Sequence, residues 1–205
     1  MFRVPTGPSP NRRTGGRLRS EEAHDSVLAA AIELVEELGY QAVTVERIAA
    51  RADVAKSTIY RWWKSRAALV MDAYRAAVEQ RMPEPDTGSL AGDLTAFATA
   101  LYGVTAHPLR VQTLRGLMAE AQLDPAFAEP FRDWVESRRA VVSAILARGA
   151  QRGDLPPTAD LDAVTDQLFG LFWYRLLVGH QPLDPAQAAT HVDQLLHGLH
   201  ARHHR

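Results

Sequence analysis

Cationic and hydrogen-bonding side chains are concentrated between residues 54 and 66 of this 205-residue chain. The stretch "VAKSTIYRWW" (residues 54–63) contains two of the four tryptophans and is followed at once by Lys64 and Arg66. Residues 41–66 carry six basic and two acidic side chains and include the only two lysines, while residues 1–20 carry five arginines and no acid. Because the whole chain has a net charge of −1, this asymmetry favours a polyanion at one end of the molecule. A solvated face with a flexible tail is the alternative.

Short helices must position these side chains. Apolar residues at helical spacing predict a first helix that begins after an N-cap at Ser20 and ends at Gly39. A second helix begins at Thr44, a third covers about 55–62, and a fourth runs from near Ser65 to about Met82. Two short helices after a longer one, joined by the turn at residues 52–54, form a helix-turn-helix unit. Its small core is predicted to contain Ile48, Ala49, Val54 and Ile59.

Such a third helix fits the DNA major groove, because Lys56, Ser57, Thr58 and Tyr60 lie near its exposed N-terminal end. Of the two tryptophans, one should pack on the first helix and the other could place its indole N–H at a phosphate. The basic residues after them lie beside the start of the fourth helix, whose amides suit a phosphate. The predicted DNA-binding set is Thr44, Lys56, Ser57, Thr58, Tyr60, Arg61, Trp63, Lys64 and Arg66.

The rest of the chain is also predicted to be helical, over roughly 90–105, 108–122, 125–151, 159–179 and 185–202. Pro- and Gly-containing breaks separate these segments, and no strand-like alternation is visible. The predicted fold is therefore all-α, with about nine helices. Residues 1–19, which are rich in Pro, Gly and Arg, are predicted to be a disordered arm.

The stretch "TVERIAARADVAKSTIYRWWKSRAALV" (residues 44–70) resembles the DNA-binding signature of the TetR family of transcriptional regulators. Asp53 stands where that family commonly has Gly, and Ala67 where an acid is common. "DQLFGLFWYRLLVG" (residues 166–179) is similar to the penultimate helix of one branch of the family. The resemblance implies a helix-turn-helix domain over 20–66 and a ligand-binding and dimerisation domain over 67–205, with 67–82 as the linking helix.

The resemblance further implies a homodimer that binds a palindromic double-stranded DNA operator and releases it when a small molecule binds. The function predicted is a repressor with an apolar or aromatic effector, and the runner-up is an architectural DNA-binding protein without a ligand. A filled C-terminal core would favour the runner-up, whereas an apolar cavity of a few hundred cubic ångströms would count against it.

The helix over 159–179 is apolar nearly all round, so both of its faces must be buried. One face can serve its own core and the other a partner subunit, together with the last helix, in a four-helix interface. A central helix in a monomer is the alternative. The predicted interface residues are Leu168, Leu171, Phe172, Arg175, Val192, Leu195 and Leu199.

Large apolar side chains spread over four helices are candidates to line an effector cavity, whereas ordinary core is the favoured interpretation for any single one of them. The predicted ligand-binding set is Phe97, Leu101, Tyr102, Leu117, Met118, Phe131, Trp134 and Trp173. Polar candidates inside the domain are His107, Arg115, Gln122 and Tyr174.

Other classes of function find little support in the sequence. There is no cysteine, and no nucleophile elbow, phosphate loop or paired-carboxylate motif indicates an enzyme. His197, His200 and His204 have helical spacing that can bind zinc, but they are interpreted as a solvated tail, so no metal or cofactor is predicted. No apolar run reaches the ~18 residues of a membrane helix and no signal core is visible, which predicts a soluble, cytoplasmic protein without a membrane partner.

Overall fold

A computed structural model describes the backbone of residues 12–79 and 84–200, and the side chains of residues 20–78 and 84–197. All regular structure in these ranges is helical, which confirms the all-α prediction. Three 3-10 turns, at Tyr40–Ala42, Gly103–Ala106 and Pro185–Gln187, accompany the α-helices. The α-helices are α1 (Arg12–Leu38), α2 (Val45–Ala52), α3 (Lys56–Trp62), α4 (Arg66–Glu79), α5 (Leu90–Tyr102), α6 (Pro108–Leu123), α7 (Pro125–Arg152), α8 (Leu161–Val178) and α9 (Ala188–His200).

The first helix is longer than predicted. Ser20 lies inside α1 rather than at its N-cap, and residues 12–19 continue the helix, so the prediction of disorder is wrong for them. The three prolines of the arm all lie at residues 5–10. Residues 12–19 contain only two glycines as poor helix formers, and a helix already nucleated by packing can propagate through them. Residues 1–11 lie outside the described residues.

The helix-turn-helix unit packs α2 and α4 against α1. Its centre contains the fully buried Val27, Ile48 and Ile59, and the Ser26 hydroxyl donates a hydrogen bond to the Ala52 carbonyl 3.3 Å away. Burial of these apolar side chains holds α2 and α3 in place, because helices of seven or eight residues are marginal alone.

The remaining helices form a second layer in which α5 lies against α7 and α9, and α6 lies against both α7 and α1. Asp93, near the start of α5, is wholly buried. It accepts hydrogen bonds from the Thr87 amide (2.6 Å) and hydroxyl (2.8 Å), and from Arg152 (3.3 Å) on α7. Burial acts to raise the pKa of Asp93, but these hydrogen bonds outweigh it and the pKa is lowered. A buried carboxylate therefore ties the start of α5 to the end of α7.

Candidate nucleic-acid interface and internal cavity

The turn before α3 has the geometry that its sequence predicts. The Thr44 hydroxyl caps α2 by accepting a hydrogen bond from the Arg47 amide (3.3 Å). Asp53 adopts the left-handed conformation, with φ 53° and ψ 46°, which Asp tolerates better than most residues. Val54 and Ile59 then pack inward. These contacts fix which side of α3 faces water.

The outer side of α3 presents Lys56, Ser57, Tyr60 and Arg61, all exposed, and Thr58 is half-buried beside them. Tyr60 keeps 48% of its surface exposed. Exposed Thr44 and Lys64 lie before α2 and after α3. We call Thr44, Lys56, Ser57, Thr58, Tyr60, Arg61 and Lys64 the α3 surface. It combines cations for phosphates with hydroxyls for base edges or phosphates, on a helix narrow enough for a major groove.

Part of the positive charge near α3 is already paired within the protein. Arg51 binds Glu37 (2.8 Å) and Glu33 (3.4 Å), and its hydrogen bond lowers the pKa of Glu37. Lys56 Nζ lies 3.2 Å from Glu46. Lys64 is exposed and forms no ion pair with any described residue. The charge available to a polyanion is therefore smaller than the count of basic residues predicts.

Trp63 does not belong to the α3 surface, and its predicted contact with DNA is wrong. Its side chain is 4% exposed, it stacks on His24 with ring centroids 4.7 Å apart, and its indole N–H donates to Asp72 of α4 (2.8 Å). Trp62 is half-buried next to it, with Arg61 over its ring. This hydrogen bond links the end of α3 to α4, so the indole N–H does not bind a phosphate as predicted.

Arg66 also faces inward, so its predicted contact with DNA is corrected. Its guanidinium donates to the carbonyls of Tyr40 (3.2 Å) and Val43 (3.3 Å) and lies 4.4 Å above the Tyr40 ring. The Tyr40 hydroxyl in turn donates to Glu120 of α6 (3.3 Å). Burial above all raises the pKa of Tyr40 to about 12, which keeps the hydroxyl protonated.

The Tyr40 ring fits a notch on α6. A Cβ atom on Gly116 would lie 2.3 Å from the ring, so glycine is required for this close approach. We call the contact of Tyr40 and Arg66 with Gly116 and Glu120 the Tyr40 junction. It joins the helix-turn-helix unit to the second layer through Tyr40, which lies between α1 and α2, and through Arg66, the first residue of α4.

The second layer contains a cavity of about 250 Å³. Four of the predicted ligand-binding residues line it: Phe97, Leu101, Trp134 and Trp173. The remaining lining residues are Tyr74, Val78, Ala100, Gly103, Val104, Arg110, Leu114, Val135, Arg138, Phe169 and Phe172. The cavity is thus mainly aromatic and aliphatic, and its described lining includes two arginines and no acidic residue.

The other four predicted ligand-binding residues do not line this cavity. Tyr102 turns away from it, with its hydroxyl 3.3 Å from His191 of α9. Leu117 is fully buried and Met118 half-buried one turn beyond Leu114, which does line the cavity. Phe131 is buried between Trp134 and Trp173. Each of these four side chains lies on a helical turn or face next to the cavity. Apolar character alone does not distinguish such positions from those that line it.

The cavity's polar residues were missed by the sequence analysis, which named His107, Arg115, Gln122 and Tyr174 instead. A signal was available: Arg138 follows Trp134 by four residues, and Arg110 precedes Leu114 by four. Side chains four apart share a helix face. Arg110 and Arg138 therefore lie on the same helix faces of α6 and α7 as apolar residues that line the cavity.

Three of the predicted dimer residues are buried within their own chain: Leu168, Phe172 and Val192 are at most 6% exposed. They have no free surface to offer a partner, so this prediction is wrong for them. Leu171, Arg175 and Leu195 are half-buried, and the side chain of Leu199 lies outside the described residues. The apolar residues that α8 does expose are Tyr174 (59%), Leu177 (43%) and Val178 (59%).

None of the described helices is long and apolar enough to cross a membrane. Among the described side chains, no group of three or more His, Asp or Glu is arranged to hold a metal ion. His197 bonds to Asp193 within its own helix, while the side chains of His200 and His204 lie outside the described part. The all-helical fold, the helix-turn-helix geometry and the exposed α3 surface together define a DNA-binding regulator.

Comparison with known proteins agrees and is more specific. Residues 27–73 match the family profile "Bacterial regulatory proteins, tetR family", and residues 84–195 match "Tetracyclin repressor-like, C-terminal domain". The chain belongs to the TetR family of transcriptional regulators, which are DNA-binding proteins and not enzymes. The HTH-type transcriptional regulator YdeS of Bacillus subtilis is 39% identical over 165 residues, which cover 80% of this chain and 82% of YdeS.

Two solved structures illustrate the likeness of fold. The TetR family regulator SCO0332 is 35% identical, with a TM-score of 0.77 over 86% of this chain and 98% of that one. FadR from Bacillus subtilis, solved in complex with stearoyl-CoA, is 18% identical, with a TM-score of 0.62 over 86% of this chain and all of FadR. At that identity the second likeness concerns the fold alone.

Proposed function

We propose that the protein is a cytoplasmic, homodimeric repressor that binds a palindromic operator through α3 of each subunit and is released by a small apolar or aromatic ligand. The observation that carries the proposal is the position of the cavity. Tyr74 and Val78 of α4 line it, and the same helix receives the Trp63 hydrogen bond from the end of α3. One helix thus connects the cavity, which is the proposed ligand site, to the end of α3.

The proposed DNA contacts divide into two kinds. Lys56, Arg61 and Lys64 are cations suited to phosphates, and Ser57, Thr58 and Tyr60 carry hydroxyls suited to base edges or phosphates. Thr44 lies at the N-terminus of α2, and the backbone amides of that helix end are also suited to a DNA phosphate. A two-fold dimer would place two such surfaces about one DNA turn apart.

The proposed dimer face is the exposed side of α8, together with α9. Tyr174, Leu177 and Val178 form an apolar strip there, and no described residue outside its own turn of α8 lies within 4 Å of a Cβ placed on Gly170. A small residue beside exposed apolar ones allows a second helix to approach closely, as in a four-helix interface.

Charge placed on that strip tests the dimer. Tyr174→Glu combined with Val178→Glu is expected to yield a monomer in sedimentation analysis, because the substitutions would bury carboxylates in an apolar interface. Leu123→Glu is the matched control, since Leu123 is 84% exposed on α6 and should leave the dimer intact. A double variant that stays dimeric would assign the interface to another surface.

The ligand would act by shifting α4. Leu69 and Ala73 are buried beneath the helix-turn-helix unit while Val78 reaches the cavity, so a tilt of α4 would alter the spacing of the two α3 helices. A ligand can do this only by preferring the tilted state, with a coupling of typically about 1–3 kcal/mol. FadR, which shares this fold, has been solved with stearoyl-CoA bound, and this supports a small-molecule effector.

The experiment is a selection of bound sites from random DNA, followed by a search for compounds that raise thermal stability. A palindromic site supports the dimeric operator complex. A stabilising compound should weaken operator binding, and operator should weaken its binding by the same factor. If the best-binding compounds have the same affinity with and without operator, the ligand-independent architectural function becomes preferable, although a cavity of about 250 Å³ counts against it.

A further inference from the structure

The charge in the cavity is one-sided. Arg110 of α6 and Arg138 of α7 contribute to a lining that otherwise consists of aromatic and aliphatic residues, and no carboxylate among the described side chains belongs to it. A cation among apolar walls is poorly screened and interacts more strongly with an opposite charge than it would in water. The cavity therefore discriminates in favour of an anion and against a cation of the same shape.

Two buried donors on side chains that line the cavity have no acceptor among the described residues. Trp134 Nε1 and Arg138 Nε are shielded from solvent and form no hydrogen bond with any described residue. They come from positions four apart on α7, so they lie on one helix face. Leaving a buried donor unpaired costs roughly 1–3 kcal/mol, and native proteins rarely do so without a functional reason. Neither atom is open to a water molecule, so a ligand oxygen would satisfy both once the side chains that shield them move aside.

Arg110 already has an anionic partner, and that partner belongs to the helix-turn-helix unit. Its Nε and Nη2 lie 3.0 Å and 2.8 Å from one carboxylate oxygen of Glu36 on α1. The Arg110 side chain is 20% exposed, so the pair is only partly screened by water. A ligand anion close to Arg110 would compete with Glu36 for the same guanidinium.

The helix that carries Arg110 also carries the Tyr40 junction. Gly116 and Glu120 of α6 contact Tyr40, which the chain places between α1 and α2. If Arg110 leaves Glu36, one of the contacts between α6 and the helix-turn-helix unit is lost, and the Tyr40 junction on the same helix would be free to shift. Competition for Arg110 would thus act on the helix-turn-helix unit through α1 and the Tyr40 junction, in addition to any effect of the cavity on Tyr74 and Val78 of α4.

We propose that the effector is an amphipathic anion, an aromatic or aliphatic body with a single carboxylate-type group, and that it releases DNA by displacing Glu36 from Arg110. The proposal rests on the ligand-released repressor proposed above. The carboxylate would be held by Arg138 and the Trp134 indole, with Arg110 as the exchangeable third donor. The body of the ligand would lie against Phe97, Phe169 and Trp173.

The ligand class is tested with two sets of matched probes: 2-naphthoate, 2-naphthamide and 2-naphthylmethylamine, and decanoate, decanamide and decylamine. Calorimetry on the full chain should find at least one acid binding about tenfold or more tighter than its amide, because hydrogen bonds to charged groups are the strong ones. The amine should bind weakest. Binding in which the amides equal the acids, in which an amine is preferred, or in which neither acid binds, would overturn the proposal.

Variants of Arg138 locate the anion. Arg138→Met should reduce the affinity of the acid by about tenfold or more and leave that of the amide within about threefold. A neutral ligand loses less binding energy than an anion when the positive charge of residue 138 is removed. Arg138→Lys, which keeps the charge, should retain most of the affinity and guards against a folding defect in the first variant. Equal losses for acid and amide would mean that Arg138 shapes the cavity and does not bind an anion.

Variants of Glu36 test the exchange. Glu36→Gln should bind the acid several-fold tighter than wild type does and should lose most of the effect of the acid on operator binding. Glu33→Gln is the control, because Glu33 lies on the same helix but pairs with Arg51. If Glu36→Gln changes neither quantity, the exchange is wrong. If the acid binds as expected but operator affinity is unchanged in wild type, the ligand class stands and the ligand-released repressor itself fails.

Discussion

The α3 surface and the internal cavity both present positive charge, but in opposite surroundings. Lys64 and Arg61 are exposed to water, where charges separated by more than a Debye length of about 8–10 Å are largely screened. Arg138 lies among aromatic side chains with its Nε shielded from solvent. The first arrangement suits any polyanion and would depend on salt, whereas the second suits the proposed small ligand, which it would select by shape and charge together.

The ion pairs within the protein also include exposed and buried examples. Arg51 and Glu37 form an exposed pair on the surface, with side chains 37% and 52% exposed. Asp93 has no exposed surface and is held by Thr87, Arg152 and Arg148. If burial decides how much an ion pair contributes to stability, removing Asp93 should lower the free energy of unfolding much more than removing Glu37.

The largest effect is expected for Asp93→Asn. Leaving arginines without their buried partner should lower the free energy of unfolding by about 3 kcal/mol or more, measured by urea denaturation at neutral pH. Glu37→Gln, in the exposed pair, should cost far less, because water screens that pair. Equal losses for the two variants would mean that burial does not decide the contribution of these carboxylates.

The stabilisation by Asp93 should also depend on pH. Its pKa is lowered in the folded protein, below the value of about 3.9 for an unfolded aspartate. The contribution is therefore fully present above that value and is lost as the pH falls through the folded pKa. The difference in stability between wild type and Asp93→Asn should be constant near neutrality and shrink below about pH 4.

A smaller loss is expected for Trp63→Phe. The variant keeps most of the buried ring but removes the hydrogen bond to Asp72, so the free energy of unfolding should fall by about 1–3 kcal/mol. Affinity for DNA, measured at a temperature where the variant is folded, should stay within about twofold of wild type, since a buried indole cannot contact a phosphate. A tenfold loss of DNA affinity with unchanged stability would restore the original prediction for Trp63.

Trp63 and Arg66 indicate how much of the site the sequence can predict. Apolar spacing and caps placed the helices, and the left-handed Asp53 could be predicted because a turn there needs that conformation. Trp63 and Arg66 follow the helix-turn-helix motif directly, yet their partners, Asp72, Tyr40 and Glu120, come from other helices. The direction of a side chain at a helix end depends on tertiary packing, which local pattern does not encode.

The same reason explains the cavity and the α8 face. Periodicity identified Phe97, Leu101, Trp134 and Trp173 as inward-facing, but many buried side chains share that pattern and only some border a space. Phe172 is predicted to contact a partner subunit because α8 is apolar all round, whereas in the structure it lines the cavity within its own chain. Which of two apolar faces is internal depends on where α5 and α7 pack.

Among the α3-surface cations, Lys64→Ala should reduce the slope of log affinity against log salt by about one unit, for operator and for unrelated DNA alike. Its ammonium is exposed and has no ion pair among the described residues, so it is available to a phosphate. Arg51→Ala removes a cation that is held by Glu33 and Glu37 and should change the slope by much less. Equal changes in slope would mean that the internal pairing of Arg51 does not withdraw it from DNA.

The smallest effect is expected for Tyr60→Phe, which removes one hydroxyl from the α3 surface. Tyr60 is 48% exposed, so the variant should unfold like wild type, and a lost neutral hydrogen bond should weaken operator binding by about 0.5–1.5 kcal/mol. The salt slope should not change, because no charge is lost. Comparing operator with unrelated DNA then separates two roles for the hydroxyl. A loss confined to operator means that it bonds to a base edge, whereas an equal loss on both means that it bonds to a phosphate. No loss on either would remove Tyr60 from the α3 surface and leave its cations as the main source of affinity.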